Sequence, residues 1–336
     1  MQRHHTVQKA YLKQWFKSPT ENYFCIYIIP KNTYIEKGSP GWSGFFRKDF
    51  NIFKNNDPTV DYYLPEKVTE RVDDLGINAI RKIDVIQKGQ LSGEDRSTIS
   101  FYLSLQYIRT PRHREELDDF LEKQIKYLMR KDLSSPEKVG LTKEEILRHK
   151  PTNKKEELAL EHIRGMSDDE IRKQVFEHIH GEDFHLGLNK TGHSKSILKD
   201  VERLAKEVFE IQWLFFIAAE GTSFITSDNP CFTISKGKIM NGLLSKSSMT
   251  IFPLRPDLCM CIRPATRSQT EKYLRLGKRE VRSINRMVIS NSYQAVVARD
   301  KKHLESIVRD YDYKNHKKTR STVIYEIGDY TMFNIE

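Results

Sequence analysis

Four groups of polar residues in this 336-residue sequence carry the side chains that phosphate-ester chemistry uses: His5 with Gln8, Gln106 with Arg109, Ser227-Asp228-Asn229, and the basic run from Lys272 to Arg286. A histidine that titrates near neutral pH can serve as general acid or base. A carboxylate such as Asp228 can ligate a divalent cation, accept a proton or orient a histidine. A guanidinium such as that of Arg109 can hold a phosphate or a carboxylate through two parallel hydrogen bonds.

Spacing decides which of these could act together. His5 and Gln8 share a face if their segment is helical. Tyr102, Gln106, Arg109 and His113 would form one stripe on an unbroken helix, but Thr110-Pro111 suits an N-cap followed by the first position of a new helix. That break turns His113 away and leaves Gln106 and Arg109 as the pair. At about 100° per residue, Lys272, Arg275, Arg279, Arg282 and Arg286 line one side of a helix expected from Ser268 to Ile289, opposite Leu274, Val281, Ile284 and Val288. Such a stripe could follow a nucleic-acid backbone with salt-sensitive, mostly sequence-independent affinity.

Each group has a plainer alternative. Asp228 and Asn229 before Pro230 can make a turn by bonding their own backbone, and His5 can face solvent or cap a helix. Arg109 can pair with a core carboxylate, and a basic helix face can simply be solvated. His178, His180, His185 and His193 crowd one charged stretch, with flexible surface histidines as the default. Cys259-Met260-Cys261 lacks the second Cys or His pair of a zinc site. There is no Gly-rich phosphate loop, no G-x-S-x-G elbow at Gly41-Trp42-Ser43-Gly44 and no H-E-x-x-H pair, which leaves P-loop, α/β-hydrolase and zincin readings without support.

The elements that must position these residues read as an α+β fold: a helical layer with a small N-terminal antiparallel sheet and a C-terminal mixed sheet. Strand-prone runs at Tyr23 to Ile29, Thr33 to Glu36 and Lys48 to Phe53 predict the first sheet. Helical periodicity runs from Pro65 to Asp132, broken at Thr110-Pro111. A helix from Ser194 should lead into a buried strand at Trp213 to Ile217, and Glu220-Gly221-Thr222 should turn a hairpin into Ser223 to Thr226. Three regions follow: residues 1–132, the N-terminal sheet plus helical region; 133–195, a charged, partly helical insertion; and 196–336, a C-terminal α+β region, together one co-folded unit.

A hydrophobic content of 38% suffices for one large core or two modest ones without staples. The formal charge of +10 would concentrate polyanions at the surface, and the stretch from Arg263 to Arg286 alone supplies six of those charges. Four cysteines with no secretory h-region before them predict free thiols and a cytoplasmic location. No run approaches the roughly 18 apolar residues needed to span a bilayer.

Several separated strings resemble a bacterial family known as domain of unknown function 4238. These are His4-His5-Thr6-Val7-Gln8-Lys9-Ala10-Tyr11-Leu12 with Trp15-Phe16, the acidic stretch Glu66 to Ile83, and Gln106-Tyr107-Ile108-Arg109-Thr110-Pro111. Phe224-Ile225-Thr226-Ser227-Asp228-Asn229-Pro230, Phe252-Pro253-Leu254 and the helix around Asn285 follow in the same order. The resemblance implies a bacterial protein of unassigned activity, for which a toxin or nuclease role is plausible.

The resulting expectation is a metal-assisted phosphodiester hydrolase, a nuclease of a bacterial phage-defence or toxin system, using Mg²⁺ or Mn²⁺. His5 and Asp228 would be catalytic, with Asp228 also on the metal. Gln8, Gln106, Arg109, Ser227 and Asn229 would hold substrate. Lys272, Arg275, Arg279, Arg282 and Arg286 would hold the polymer, with a defence-system protein as a further partner. The alternative is a non-enzymatic sensor of nucleic acid or nucleotide. In a third reading Ser227 to Pro230 and Gln106 with Arg109 only tie the sheet to the helical layer.

Overall fold

The computed structural model describes residues 3–48, 50, 64–84, 89–140, 142–181, 185–186, 190–235, 242–327 and 330–335. The chain forms two compact units, Met1–Leu117 with Leu188–Glu336, and Asp118–Gly187.

In chain order the first unit starts with β1 (Arg3–His5), α1 (Lys9–Leu12), β2 (Phe24–Ile28), β3 (Thr33–Gly38) and β4 (Phe46–Lys48). Then come α2 (Leu64–Arg81), α3 (Gly93–Ile108) and the start of α4 (Pro111–Asp132). Local chemistry sets these boundaries. Ser92 caps α3 by accepting from Asp95 N at 3.0 Å. Thr110 Oγ1 accepts from His113 N at 3.3 Å, and Pro111 opens α4, so the break falls where the Thr-Pro step predicts it.

The second unit holds the rest of α4 with α5 (Lys143–Leu147), α6 (Lys154–Arg164) and α7 (Asp168–His180). Thr142 and Ser167 make capping boxes with Glu145 and Glu170, and Asn153 caps α6. Arg130 donates to the carbonyls of Ile179 and Gly181, which ties α4 to the end of α7.

The chain returns to the first unit through α8 (Lys190–Phe209), β5 (Ile211–Ala218), β6 (Thr226–Ser227), β7 (Phe232–Ser235), β8 (Ser248–Arg255), β9 (Leu258–Arg267) and β10 (Glu271–Leu276). It ends with α9 (Lys278–Asn291), β11 (Ala295–Ala298), α10 (Lys301–Val308), β12 (Thr322–Ile327) and β13 (Tyr330–Ile335). A five-stranded sheet runs β10-β5-β9-β8-β7, mixed because β10 lies parallel to β5 while the other pairs are antiparallel. Trp213, Phe215 and Ile217 on alternate positions of β5 are buried with side chains of α2, α3 and α8, whereas α9 and α10 share a second cluster with Phe232, Ile251 and Cys259. The architecture is α+β.

Three local expectations need correction. The β2–β3 pair is not a separate N-terminal sheet: β11 and β6 complete it in the order β3-β2-β11-β6. Of the third strand-prone run only Lys48 lies in a described strand, where Phe46–Lys48 pairs with β1; residues 49 and 51–53 lie outside the described residues. The Glu220-Gly221-Thr222 turn exists, with Gly221 at φ 72°, but it sends the chain from one sheet into the other instead of closing a hairpin.

The largest correction concerns the basic run. Lys272 and Arg275 lie on β10, and the helix begins only at Lys278 after Gly277. Alternation Glu-Lys-Tyr-Leu-Arg-Leu satisfies a strand as well as a helix, and pairing with β5 decides for the strand.

Candidate anion-binding site around Arg109

Helix α2 turns a polar stripe inward, with Glu66, Thr69 and Asp73 all buried. Helices α2 and α3 approach closely because residue 76 is glycine: a Cβ there would stand 2.3 Å from Tyr102 Cγ. That approach brings the Asp73 carboxylate to α3. Arg109 Nη1 donates to Asp73 Oδ2 at 2.7 Å, and Gln106 Nε2 donates to Asp73 Oδ1 at 3.3 Å.

Arg109 is 1% exposed and Gln106 is fully buried, yet this one carboxylate does not exhaust them. Arg109 Nε and Nη2 and Gln106 Oε1 are buried without a hydrogen-bond partner among the described residues. Buried polar groups are normally satisfied, and each orphan costs roughly 1–3 kcal/mol. Two donors on one edge of the Arg109 guanidinium and the amide acceptor of Gln106 are thus left over after Asp73 is bound.

The N-terminal segment supplies the neighbouring wall. Tyr102 Oη donates to Gln8 Oε1 at 2.8 Å, which fixes Gln8 beside α3. His4 Nδ1 lies 3.5 Å from Glu66 Oε2. His5 is brought into the field of Arg109: burial first, then Lys9 and Arg109, lower its pKa to about 4, so its imidazole is neutral at physiological pH. Burial raises Asp73 to about 6 against the pull of Arg109, which leaves it ionised at pH 7. Four sequence-predicted residues, His5, Gln8, Gln106 and Arg109, therefore share one neighbourhood. His113 packs instead against Tyr107 with the rings tilted by 55°, at 5.0 Å between centroids.

The side chain of Asp228 bonds elsewhere. Its Oδ1 accepts from Tyr293 N and its Oδ2 from Gln294 N, both at 2.8 Å, so the carboxylate pins the α9–β11 connection. Burial lifts its pKa to about 6 in spite of those amides. Ser227 Oγ accepts from Asn229 N at 3.1 Å. Asn229 Oδ1 accepts from Thr110 Oγ1 at 2.9 Å, and its Nδ2 donates to Asn291 O at 2.7 Å. Asp228, Ser227 and Asn229, the residues expected to bind metal and substrate, thus each have partners within the protein in this structure. Among the described residues no group of three or more His, Cys, Asp or Glu is placed to hold a metal ion.

The other polar expectations separate in the same way. His185 pairs with Glu122 at 3.0 Å, His180 bonds Phe176 O, and the side chain of His193 lies outside the described residues. On β10, Tyr273 stacks on Phe215, and Glu271 pairs with Arg96 of α3, so Arg275 at the next alternate position faces that same side. Lys272 faces the opposite side with Leu276, toward α9. Arg279, Arg282 and Arg286 remain exposed on α9, where Arg282 donates to Ser306 O and Arg286 approaches Asp310 at 3.5 Å. The five basic residues therefore form no single stripe.

Sequence reasoning missed Asp73, although a readable signal exists. Glu66, Thr69 and Asp73 occupy one face of α2 together with Gly76, Ile77 and Ile80, and carboxylates on an inward face need partners.

A protein-family model described as "Protein of unknown function (DUF4238)" matches residues 3–302. No curated protein and no solved structure matches the chain.

Proposed function

Because the chain belongs to the DUF4238 family, whose description assigns no activity, we propose from the site itself that it recognises the phosphate group of a nucleotide or nucleic acid at Arg109. One observation carries this reading: a buried arginine with Nε and Nη2 both unpartnered, next to the unpartnered Gln106 Oε1. The Nε–Nη2 edge presents two parallel donors at the spacing of two phosphate oxygens. A phosphate or sugar hydroxyl would supply the hydrogen bond that Gln106 Oε1 lacks. The formal charge of +10 favours encounter with polyanions.

Binding without chemistry is the reading favoured here over the metal-assisted nuclease, because Asp228 is occupied with main-chain amides. A metal-independent hydrolase is the second reading, and His5 favours it: an imidazole that stays neutral at pH 7 beside a phosphate-holding arginine could take a proton from water.

Isothermal titration with a 5′-phosphorylated dinucleotide and its unphosphorylated counterpart tests the proposal. The phosphorylated form should bind at least about tenfold tighter, and Arg109→Gln should remove the difference. Gln106→Met keeps the volume while deleting the amide, and should weaken binding even if Arg109→Gln is poorly folded. Equal affinity for the two ligands in wild-type protein overturns the assignment. Chromatography of the same mixtures separates a binder, which returns the ligand intact, from a hydrolase.

A further inference from the structure

A second concavity, of about 330 Å³, lies between the 3-10 turn at Ile29–Lys31 and the 3-10 turn at Tyr313–Asn315. Pro30, Tyr313, Lys314, His316 and Lys318 line it. Its volume sits at the lower end of the range used for small ligands, about 300–1,000 Å³.

The charged lining is cationic. Burial, Arg112 and Lys318 lower the pKa of His316, whose Nδ1 lies 2.6 Å from Tyr311 Oη, so at neutral pH the positive charges of the rim are Lys314 and Lys318. Lys318 is held above the Tyr293 ring, 5.9 Å from its centroid.

Two carboxylates stand near this rim and keep their charge, but neither forms an ion pair with Lys314 or Lys318 among the described residues. Asp312, which feels Lys314, caps the turn by accepting from Asn315 N and Nδ2. Glu115 accepts from Tyr293 Oη. Behind His316, Arg112 and Arg320 share the single carboxylate of Glu116, at 2.9 and 2.6 Å, so that buried group adds positive charge to the same side. The remaining walls, Pro30 and the Tyr313 ring, are apolar and flat.

We propose that this pocket binds a small phosphate monoester carrying a planar ring, such as a nucleoside monophosphate, with the phosphate between Lys314 and Lys318 and the ring against Tyr313. Two ammonium groups match a phosphate dianion as point charges, and an aromatic face accepts a planar ring by stacking with little regard to its identity. The site is separate from Arg109 and does not depend on the function proposed there.

The test is calorimetric titration of the full chain with adenosine monophosphate, p-nitrophenyl phosphate, adenosine and inorganic phosphate. The two esters should bind, and adenosine and inorganic phosphate should each bind at least tenfold more weakly. Lys314→Glu with Lys318→Glu, both exposed positions, should remove one ester-binding site: from two to one if Arg109 also takes the ester, from one to none otherwise. Tyr313→Ala should weaken ester binding and leave inorganic phosphate unaffected. An unchanged stoichiometry in the double variant, or no binding of either ester by wild-type protein, overturns the proposal.

Discussion

Thr110 Oγ1 donates a 2.9 Å hydrogen bond to Asn229 Oδ1 across 119 residues of sequence, joining the Gln-x-x-Arg-Thr-Pro step at the α3–α4 break to the Ser-Asp-Asn-Pro string beyond β6. Other family-like strings meet there too. Tyr11 Oη lies 2.6 Å from both Thr226 Oγ1 and Pro253 O, and Trp15 Nε1 donates to Phe224 O. The most recognisable strings of the sequence thus meet in one joint, and Arg109 is the residue immediately before it.

The joint should be measurable as coupling. Asn229→Ala strips partners from Thr110 and from Asn291 O, and should cost about 2–4 kcal/mol of stability; Thr110→Val should cost about 1 kcal/mol. In a double-mutant cycle read by urea denaturation, the two should couple by roughly 1 kcal/mol. Strict additivity would mean the bond contributes nothing.

Asp228→Ala should act on stability and not on the Arg109 site. It leaves two part-buried main-chain amides without their charged acceptor, a loss of about 2–4 kcal/mol, and the melting temperature should fall accordingly. At a temperature where the variant is folded, its affinity for a phosphorylated dinucleotide should equal that of wild type. A folded Asp228→Ala protein that no longer binds would return Asp228 to the functional site.

Acid should strengthen anion binding at Arg109. Asp73 has its pKa raised by burial to about 6, so protonation as pH falls through 6 weakens its hold on Arg109, while His5 stays neutral until about 4. Sulfate, whose charge is constant over this range, should bind more tightly at pH 5.5 than at 7.5, and Asp73→Asn should flatten the dependence. The stability linkage has the same sign: a raised carboxylate pKa contributes stability present below its unfolded value near 3.8 and lost as pH rises through 6. His5 contributes oppositely, with stability present above 6.5 and lost as pH falls through 4. Sulfate affinity that is flat with pH in the wild type would separate Asp73 from anion binding.

Any binding of long nucleic acid by the basic face should depend on α9 and not on β10. Arg279→Glu with Arg282→Glu should weaken binding about tenfold at low salt and reduce its salt dependence, measured by fluorescence anisotropy. Arg275→Glu, on the opposite face of the strand, should have little effect, and an equal loss there would restore a continuous stripe.

Much of this was readable from residue order. The Thr-Pro break between α3 and α4, the strand at Trp213 to Ile217 and the pairing of interest between Gln106 and Arg109 all follow from short-range chemistry. What failed was non-local. The sequence of β10 suits a helix as well, and its conformation rests on β5, more than fifty residues earlier in the chain; the N-terminal sheet is completed only by β11, which docks on β2, and by β6, which docks on β11. The partners of Asp228 are equally non-local: the Tyr293 and Gln294 amides become its neighbours only in three dimensions.

The most direct test follows the Arg109 Nε–H resonance in ¹⁵N-arginine-labelled protein during addition of a 5′-phosphorylated dinucleotide, with Arg109→Lys used for assignment. The account requires this resonance to move to lower field and saturate with the calorimetric affinity, unmatched by the unphosphorylated ligand. A resonance that stays in place while the ligand binds would mean that the unpartnered edge of Arg109 is not where phosphate is recognised.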